Sequence, residues 1–112
     1  VIYNRLAAGQ RLELDSTVNY PLDLQALRTT PEDRARVGPY NSYAVAGLPP
    51  TPIAAPRVSS LAAVAAPTDG DGFIFFVAGC PGGTRDGSHY FSRTLDEHNA
   101  NIARANEECA GQ

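Results

Sequence analysis

Residues 39–56 constrain the fold of this chain more than any other stretch, because five of its nine prolines lie there. Each proline fixes its own φ, removes a backbone N–H donor and keeps the preceding residue out of the helical region. The segment can therefore form neither a regular helix nor a central strand. Because it also carries tyrosines and aliphatic side chains, we expect an ordered, extended loop with side chains packed along it. Ordered loops on a rigid scaffold often carry binding groups.

The first candidate binding residues are the two tyrosines and the asparagine at the start of this loop. Tyr40 and Tyr43 offer aromatic faces and hydroxyl groups, and the Asn41 amide can both donate and accept hydrogen bonds. A sugar or a peptide ligand needs groups of these kinds. The loop is therefore predicted to form one wall of a binding site.

Two carboxylates upstream are the second set of candidates. Charged and apolar residues alternate from Arg11 to Leu14, which predicts a short half-buried strand. On a strand, residues two apart point to the same side, so Glu13 and Asp15 would face one site together. The alternative is structural: a solvated strand edge for Glu13 and a helix N-cap for Asp15.

Composition excludes several classes of function. The 112 residues make one domain or part of one, and the hydrophobic fraction of 43% is too high for a disordered chain. The net charge is −3 and the nine cations form no basic cluster, which argues against nucleic-acid binding. All nine are arginines, so this segment has no lysine for a Schiff base or a pyridoxal phosphate cofactor. No apolar run approaches the ~20 residues of a membrane span.

Local signals along the chain predict an α+β unit with a small antiparallel sheet, flanking helices and the long ordered proline-rich loop. Gly9 is expected to end a first helix, and Thr30 followed by Pro31 to start a short one. The remaining predictions are a helix over residues 57–66, a central strand over 73–78, a hairpin partner over 89–92 and a last helix from a Thr94–Glu97 capping box.

The cysteines and histidines leave three possibilities open. Cys80 ends the predicted central strand and Cys109 ends the last helix. They could form a disulfide in an oxidising compartment, remain two separate buried thiols, or join His89 and His98 around zinc. The spacings lack the close cysteine pair of structural zinc sites, so no metal site is predicted.

Four blocks of sequence, in this order, resemble the MltG (YceG-like) family of endolytic murein transglycosylases. They cover residues 1–6, 12–20, 40–43 and 47–53, and residues 89–92, 94–95 and 97–102 agree as well. The resemblance implies cleavage of peptidoglycan between N-acetylmuramic acid and N-acetylglucosamine. It also implies closure of the muramic 6-hydroxyl onto its own anomeric carbon to give a 1,6-anhydro end.

In the family one glutamate acts first as acid and then as base, and no cofactor is used. It lies on a helix just before the block that begins at Val1. The resemblance therefore implies that this chain is the C-terminal portion of a single catalytic domain, without its catalytic glutamate and inactive alone. The parent would be anchored in the membrane and face the cell wall. The alternative is a non-catalytic peptidoglycan-binding or scaffold module of the same fold.

The resemblance and the residue types together give the predicted substrate-binding set: Glu13, Asp15, Thr17, Tyr20, Tyr40, Asn41 and Tyr43. Glu13 departs from the family, which often has glutamine there. The expected partners are glycan strands and cell-wall synthases, and not nucleic acid. Without the upstream helix, the chain would also expose the apolar surface that this helix covers. Such a surface predicts a dimer.

Overall fold

The computed structural model of the protein describes residues 1–22, 29–36, 38–68 and 71–111. The described elements are five α-helices, one 3₁₀ turn and two strands, which confirms the α+β class. Contacts divide the chain into one unit formed by Ile2–Thr68 and a second formed by the described residues that follow it. No helix in these ranges is both long enough and apolar enough to cross a membrane.

The first unit begins with helix α1 (Ile2–Ala7), and its end is encoded locally. Gly9 has φ +69°, a conformation that glycine reaches without a steric cost. This lets the N–H of Gly9 donate to the Leu6 carbonyl at 3.2 Å and that of Gln10 to the Arg5 carbonyl at 2.9 Å. Both bonds satisfy carbonyls that the helix end would otherwise leave open, so the predicted glycine cap is confirmed.

Three further helices complete the first unit: α2 (Asp15–Leu22), α3 (Pro31–Arg34) and α4 (Val58–Ala65). Helix α3 begins as predicted, because the Thr30 hydroxyl accepts from the Asp33 N–H and the Asp33 carboxylate accepts from the Thr30 N–H. Helix α4 lies within the predicted range, and all of its side chains are exposed. The apolar face that its sequence predicts is therefore open in this structure.

The proline-rich loop contains no helix or strand, as predicted, but it is not extended throughout. The N–H groups of Ala44 and Val45 both donate to the Asn41 carbonyl, at 3.1 and 3.0 Å, which folds residues 41–45 into a tight turn. The expected packing of its apolar side chains is also incomplete, because Leu48 remains 68% exposed.

The second unit is a hairpin packed against one helix. Strands β1 (Phe75–Ala78) and β2 (His89–Ser92) pair antiparallel, with Phe75 opposite Ser92 and Ala78 opposite His89. A strand lies within the range predicted, 73–78, but it is two residues shorter, and it is not central, since β1 pairs with a single strand in the described ranges. The hairpin partner itself is confirmed.

Helix α5 (Leu95–Glu108) covers one face of this hairpin. It starts at the predicted cap, where the Thr94 hydroxyl accepts from the Glu97 N–H at 3.2 Å. The His98 ring stacks on Phe75 at 4.9 Å between centroids, and Ala105 is buried. A disulfide joins Cys109, after the helix, to the fully buried Cys80, after β1.

A Gly79→Ala substitution should test how tightly the hairpin packs. An added Cβ would lie 2.5 Å from Cε2 of Tyr90. That ring is held by the Arg104 guanidinium 4.3 Å above it and by its hydroxyl, which donates to Glu108. Because the ring has little freedom to move, we expect the free energy of unfolding to fall by about 1–3 kcal/mol in urea titrations.

The matched control is Gly38→Ala, where no atom lies within 4 Å of the added Cβ. We expect this variant to be neutral or slightly stabilised, because alanine restricts the unfolded chain. Equal losses in the two variants would show that the contact between Gly79 and Tyr90 does not limit packing.

Candidate functional site

The candidate site lies in the first unit, where the start of α2 meets the turn after Tyr40. Asp15 is its central residue. One carboxylate oxygen of Asp15 accepts hydrogen bonds from the Tyr43 hydroxyl at 2.5 Å and from the Thr29 hydroxyl at 3.0 Å. The other oxygen accepts from the Thr29 N–H at 3.3 Å. Asp15 and Tyr43 both remain partly exposed, so this pair can meet a ligand.

A buried hydroxyl pair lies beneath Asp15 and joins the two segments. The hydroxyls of Thr17 and Ser42 are 2.7 Å apart, and both residues are almost fully buried. The Thr17 hydroxyl also donates to the Leu14 carbonyl at 2.7 Å, and the Ser42 hydroxyl accepts from the Leu14 N–H at 2.8 Å. Thr17 therefore supports the site from inside, and a direct contact with a ligand would require the pair to open.

Asn41 is likewise engaged within the protein. Its side-chain nitrogen donates to the carbonyls of Arg34 and Arg36, at 2.8 and 2.6 Å. Its side-chain oxygen accepts from the Tyr43 N–H at 2.9 Å, and the residue is only 4% exposed. The structure thus brings Asn41 and Asp15 together around Tyr43. The Asn41 amide holds the turn, and its predicted contact with a ligand stays a prediction.

Tyr43 contacts both charged groups of the site, the Asp15 carboxylate and the Arg34 guanidinium. Burial, followed by the hydrogen bond to the Asp15 carboxylate, raises the pKa of its phenol well above the usual tyrosine value. The positive charge of Arg34, whose guanidinium lies 5.6 Å from the ring centroid, acts in the opposite direction and lowers the pKa of the phenol. The same guanidinium donates to the Thr29 carbonyl at 2.6 Å and to the Thr29 hydroxyl at 3.1 Å. Tyr43 therefore stays a neutral hydrogen-bond donor at physiological pH.

The pH dependence of stability should report this phenol. Because its folded-state pKa is raised, its contribution is complete below the ordinary tyrosine pKa of about 10 and is lost as pH rises through the folded value. We therefore expect wild type to lose stability above pH ~10 more steeply than Tyr43→Phe, measured by urea unfolding at several pH values. Identical slopes would contradict the raised pKa.

Two more predicted residues of the first unit form an aromatic pair. The rings of Tyr20, in α2, and Tyr40 lie 5.1 Å apart and are tilted by 48°. The Tyr40 hydroxyl is 2.8 Å from that of Thr51, which ties the pair to the proline-rich loop. Since Tyr20 is 47% exposed, the pair offers an aromatic surface to a ligand.

The strand predicted from Arg11 to Leu14 is wrong. Glu13 has φ +53°, in the left-handed region, so this stretch turns sharply where a strand would continue straight. The argument that Glu13 and Asp15 share one face of a strand therefore fails. The Glu13 carboxylate instead lies 3.5 Å from the guanidinium of Arg5, a buried residue of α1. Asp15, the alternative N-cap, falls inside the first turn of α2.

Sequence reasoning missed the residues that hold this site together: Arg5, Thr29, Arg34 and Ser42. Arg5 and Ser42 lie within blocks that carry the family resemblance, which was the available signal. Thr29 and Arg34 flank the predicted cap at Thr30 and gave no signal of their own, because their partners are distant in sequence.

The histidines and cysteines of the second unit form no metal site. Within the described ranges, no three side chains of histidine, cysteine, aspartate or glutamate come close enough together to bind an ion. The cysteines are joined to each other, and Nδ1 of His89 lies 2.9 Å from the Gly87 carbonyl oxygen, to which it can donate.

Comparison with known proteins gives a consistent picture. A model described as the YceG-like family matches residues 1–104. An endolytic murein transglycosylase of Bacillus subtilis (strain 168) is 36% identical over 99 residues, which are 88% of this chain and 26% of that protein. The crystal structure of a yceG-like protein from Listeria monocytogenes superimposes with a TM-score of 0.76 at 43% identity, covering 88% of this chain and 30% of that one. The chain thus spans less than a third of either relative.

Proposed function

The chain belongs to the YceG-like family, and from this premise we propose that it forms the substrate-facing part of an endolytic murein transglycosylase. The observation that carries the proposal is the 36% identity, over 99 residues, to a protein named for that activity. The substrate is then peptidoglycan, and the site described above contributes the contacts to its glycan strands.

The half-exposed groups of the site suit a sugar ligand. The Tyr20–Tyr40 pair offers ring surface, and the Asp15–Tyr43 pair offers a carboxylate and a neutral hydroxyl. Sugars present hydroxyl groups that need such partners, and apolar ring faces that pack on aromatic side chains. We propose these four residues as the ligand contacts, with Thr17 and Asn41 acting beneath them as supports.

The proposed reaction is an intramolecular transfer. An acid protonates the glycosidic oxygen between muramic acid and glucosamine while the bond from that oxygen to the anomeric carbon breaks. The muramic 6-hydroxyl oxygen then bonds to the same carbon, and its proton passes to the carboxylate, which restores the acid. No water is consumed, which distinguishes the reaction from glycoside hydrolysis. We assign the acid to a part of the family's catalytic domain outside these residues.

We place the protein on the outer face of the cell membrane, held by an anchor outside this chain and acting beside cell-wall synthases. Peptidoglycan lies in that compartment. The Cys80–Cys109 disulfide also supports this location, since disulfides persist in oxidising environments and are rare in the cytosol.

Digestion of uncrosslinked glycan strands tests the proposal. The full-length protein should release fragments that end in 1,6-anhydro-muramic acid, identified by mass spectrometry as lighter than the hydrolysed form by one water. The 112-residue chain should bind the strands and cut none of them. Ordinary reducing ends would contradict the reaction. Binding without any cleavage by the full-length protein would instead favour a non-catalytic peptidoglycan module.

A further inference from the structure

Glu13 has a backbone conformation that side chains other than glycine rarely adopt. Its φ of +53° is the single positive value found for a non-glycine residue in the described ranges. Such a conformation persists only where the surroundings over-determine it, and it often occurs near functional sites. Asp15, the central residue of the candidate site, follows two positions later. The groups that hold Glu13 in place therefore bear on the site.

Arg5 holds this turn from the α1 side. One nitrogen of its guanidinium donates to the Arg11 carbonyl at 2.8 Å and to the Leu12 carbonyl at 3.4 Å, and lies 3.5 Å from a Glu13 carboxylate oxygen. Arg5 is only 8% exposed, so these bonds are largely shielded from water. Charge-assisted hydrogen bonds from a planar guanidinium fix both the position and the direction of their acceptors.

Ser42 holds the same turn from the opposite side. The N–H of Glu13 donates to the Ser42 carbonyl at 3.2 Å, and that of Leu14 to the Ser42 hydroxyl at 2.8 Å. The turn is thereby clamped between α1 and the segment that carries Tyr43. Because Asp15 begins α2 directly after this clamp, the direction of the turn sets where its carboxylate meets the Tyr43 hydroxyl.

We propose that Arg5 is a positioning residue: by fixing the left-handed turn at Glu13, it places the Asp15 carboxylate on the Tyr43 hydroxyl. Arg5 itself touches no ligand. The consequence for glycan binding rests on the proposed function, whereas the placement of Asp15 does not.

The ionisation of Tyr43 in the folded protein is the direct readout. The groups that face this phenol are Asp15 from α2, Arg34 from α3 and Glu13 from the turn, and Glu13 has the smallest influence among them. Ultraviolet titration of each variant, with its Tyr43→Phe counterpart subtracted, isolates the signal. In wild type Tyr43 should remain un-ionised about one pH unit above the ordinary tyrosine value. In Arg5→Ala it should ionise at lower pH than in wild type, because the contribution of Asp15 is lost while that of burial remains, and Arg5→Lys should lie between.

Arg11→Ala is the matched control, because this exposed arginine belongs to the same segment and contributes only its carbonyl to the clamp. It should titrate like wild type. A folded Arg5→Ala protein in which Tyr43 titrates as in wild type would overturn the proposal, whatever its stability. Ionisation of Tyr43 at a lower pH in Arg11→Ala than in wild type would also overturn the proposal.

A second pair of variants decides the question if Arg5→Ala does not fold. Glycine accepts a positive φ, whereas a β-branched residue strongly resists it. Tyr43 should therefore ionise at higher pH in Glu13→Gly than in Glu13→Val, because only the glycine variant keeps the turn that places Asp15. The opposite order, or no difference between the two, would overturn the role assigned to the turn.

Glycan binding is measured separately, using uncrosslinked glycan strands as the probe. If wild type binds them, Arg5→Ala should bind at least tenfold more weakly, and equal binding would contradict the proposal for a ligand site. If wild type does not bind them, the proposed function fails. The Tyr43 titration still decides whether Arg5 positions Asp15.

Discussion

Removing the Cys80–Cys109 disulfide is expected to lower the free energy of unfolding by about 3.5 kcal/mol, the chain-entropy value for a closed loop of this size. The two cysteines are 29 positions apart, and the loop between them contains β2 and the whole of α5. Typical domains are stable by only about 5–15 kcal/mol, so the loss should be a large part of the total. Urea unfolding of Cys80→Ala/Cys109→Ala, followed by circular dichroism, measures it.

Chemical reduction of the disulfide is the control for this substitution. A phosphine reductant should destabilise wild type by a similar amount and leave the double alanine variant unchanged. Hydrogen exchange should show the extra opening mainly in α5, because Cys109 follows the helix and Cys80 follows β1. A loss below about 1 kcal/mol, or a change spread evenly over both units, would show that packing alone holds the helix on the hairpin.

The parts of the fold that the sequence predicted well are those with local causes. A glycine cap depends on one residue and its nearest carbonyls, and Gly9 is where it was expected. The caps at Thr30 and Thr94 act over three residues, so they too could be recognised without knowing the rest of the structure. The hairpin partner over residues 89–92 followed from a glycine-rich turn between two apolar runs.

The parts that were wrong depend on contacts between distant residues. The alternation from Arg11 to Leu14 is typical of a strand, but the positive φ of Glu13 is fixed by Arg5 and by Ser42, which is 28 positions from Leu14. Likewise, an apolar face shows that a helix can be buried without showing what would cover it. The exposed Val58 in α4 illustrates that limit.

The substrate contacts stay a prediction, but the structure shows how the predicted residues are arranged. Asp15 and Tyr43 do lie together, although they are 28 positions apart. Thr17 and Asn41 belong to the same cluster but are buried, and their polar atoms bond to backbone carbonyls of the protein. Residue type alone could not separate these two roles, since an amide or a hydroxyl can serve either.

Asp15→Ala is expected to be strongly destabilising. It removes the acceptor for the Tyr43 hydroxyl and for both Thr29 donors, and Thr29 is buried. Hydrogen bonds to charged groups contribute about 1.5–3 kcal/mol each, and losing several coupled ones does not add fully. We expect a loss of about 3 kcal/mol in the free energy of unfolding, measured by urea titration. Glycan binding should be lost as well.

Asp96→Ala separates this network from the general effect of a carboxylate near a helix start. Asp96 also lies in a first helical turn, that of α5, and is exposed. Its removal should cost only the interaction with the helix dipole, about 0.3–1 kcal/mol. The stability of Asp15→Asn should fall between those of the two alanine variants, because an amide oxygen can still accept from one of the donors.

If Asp15→Ala and Asp96→Ala lose equal stability, Asp15 acts as an ordinary helix-terminal charge and its bonds to Tyr43 and Thr29 add nothing. A double-mutant cycle with Tyr43→Phe then gives the coupling directly, and a value near zero would remove this pair from the site.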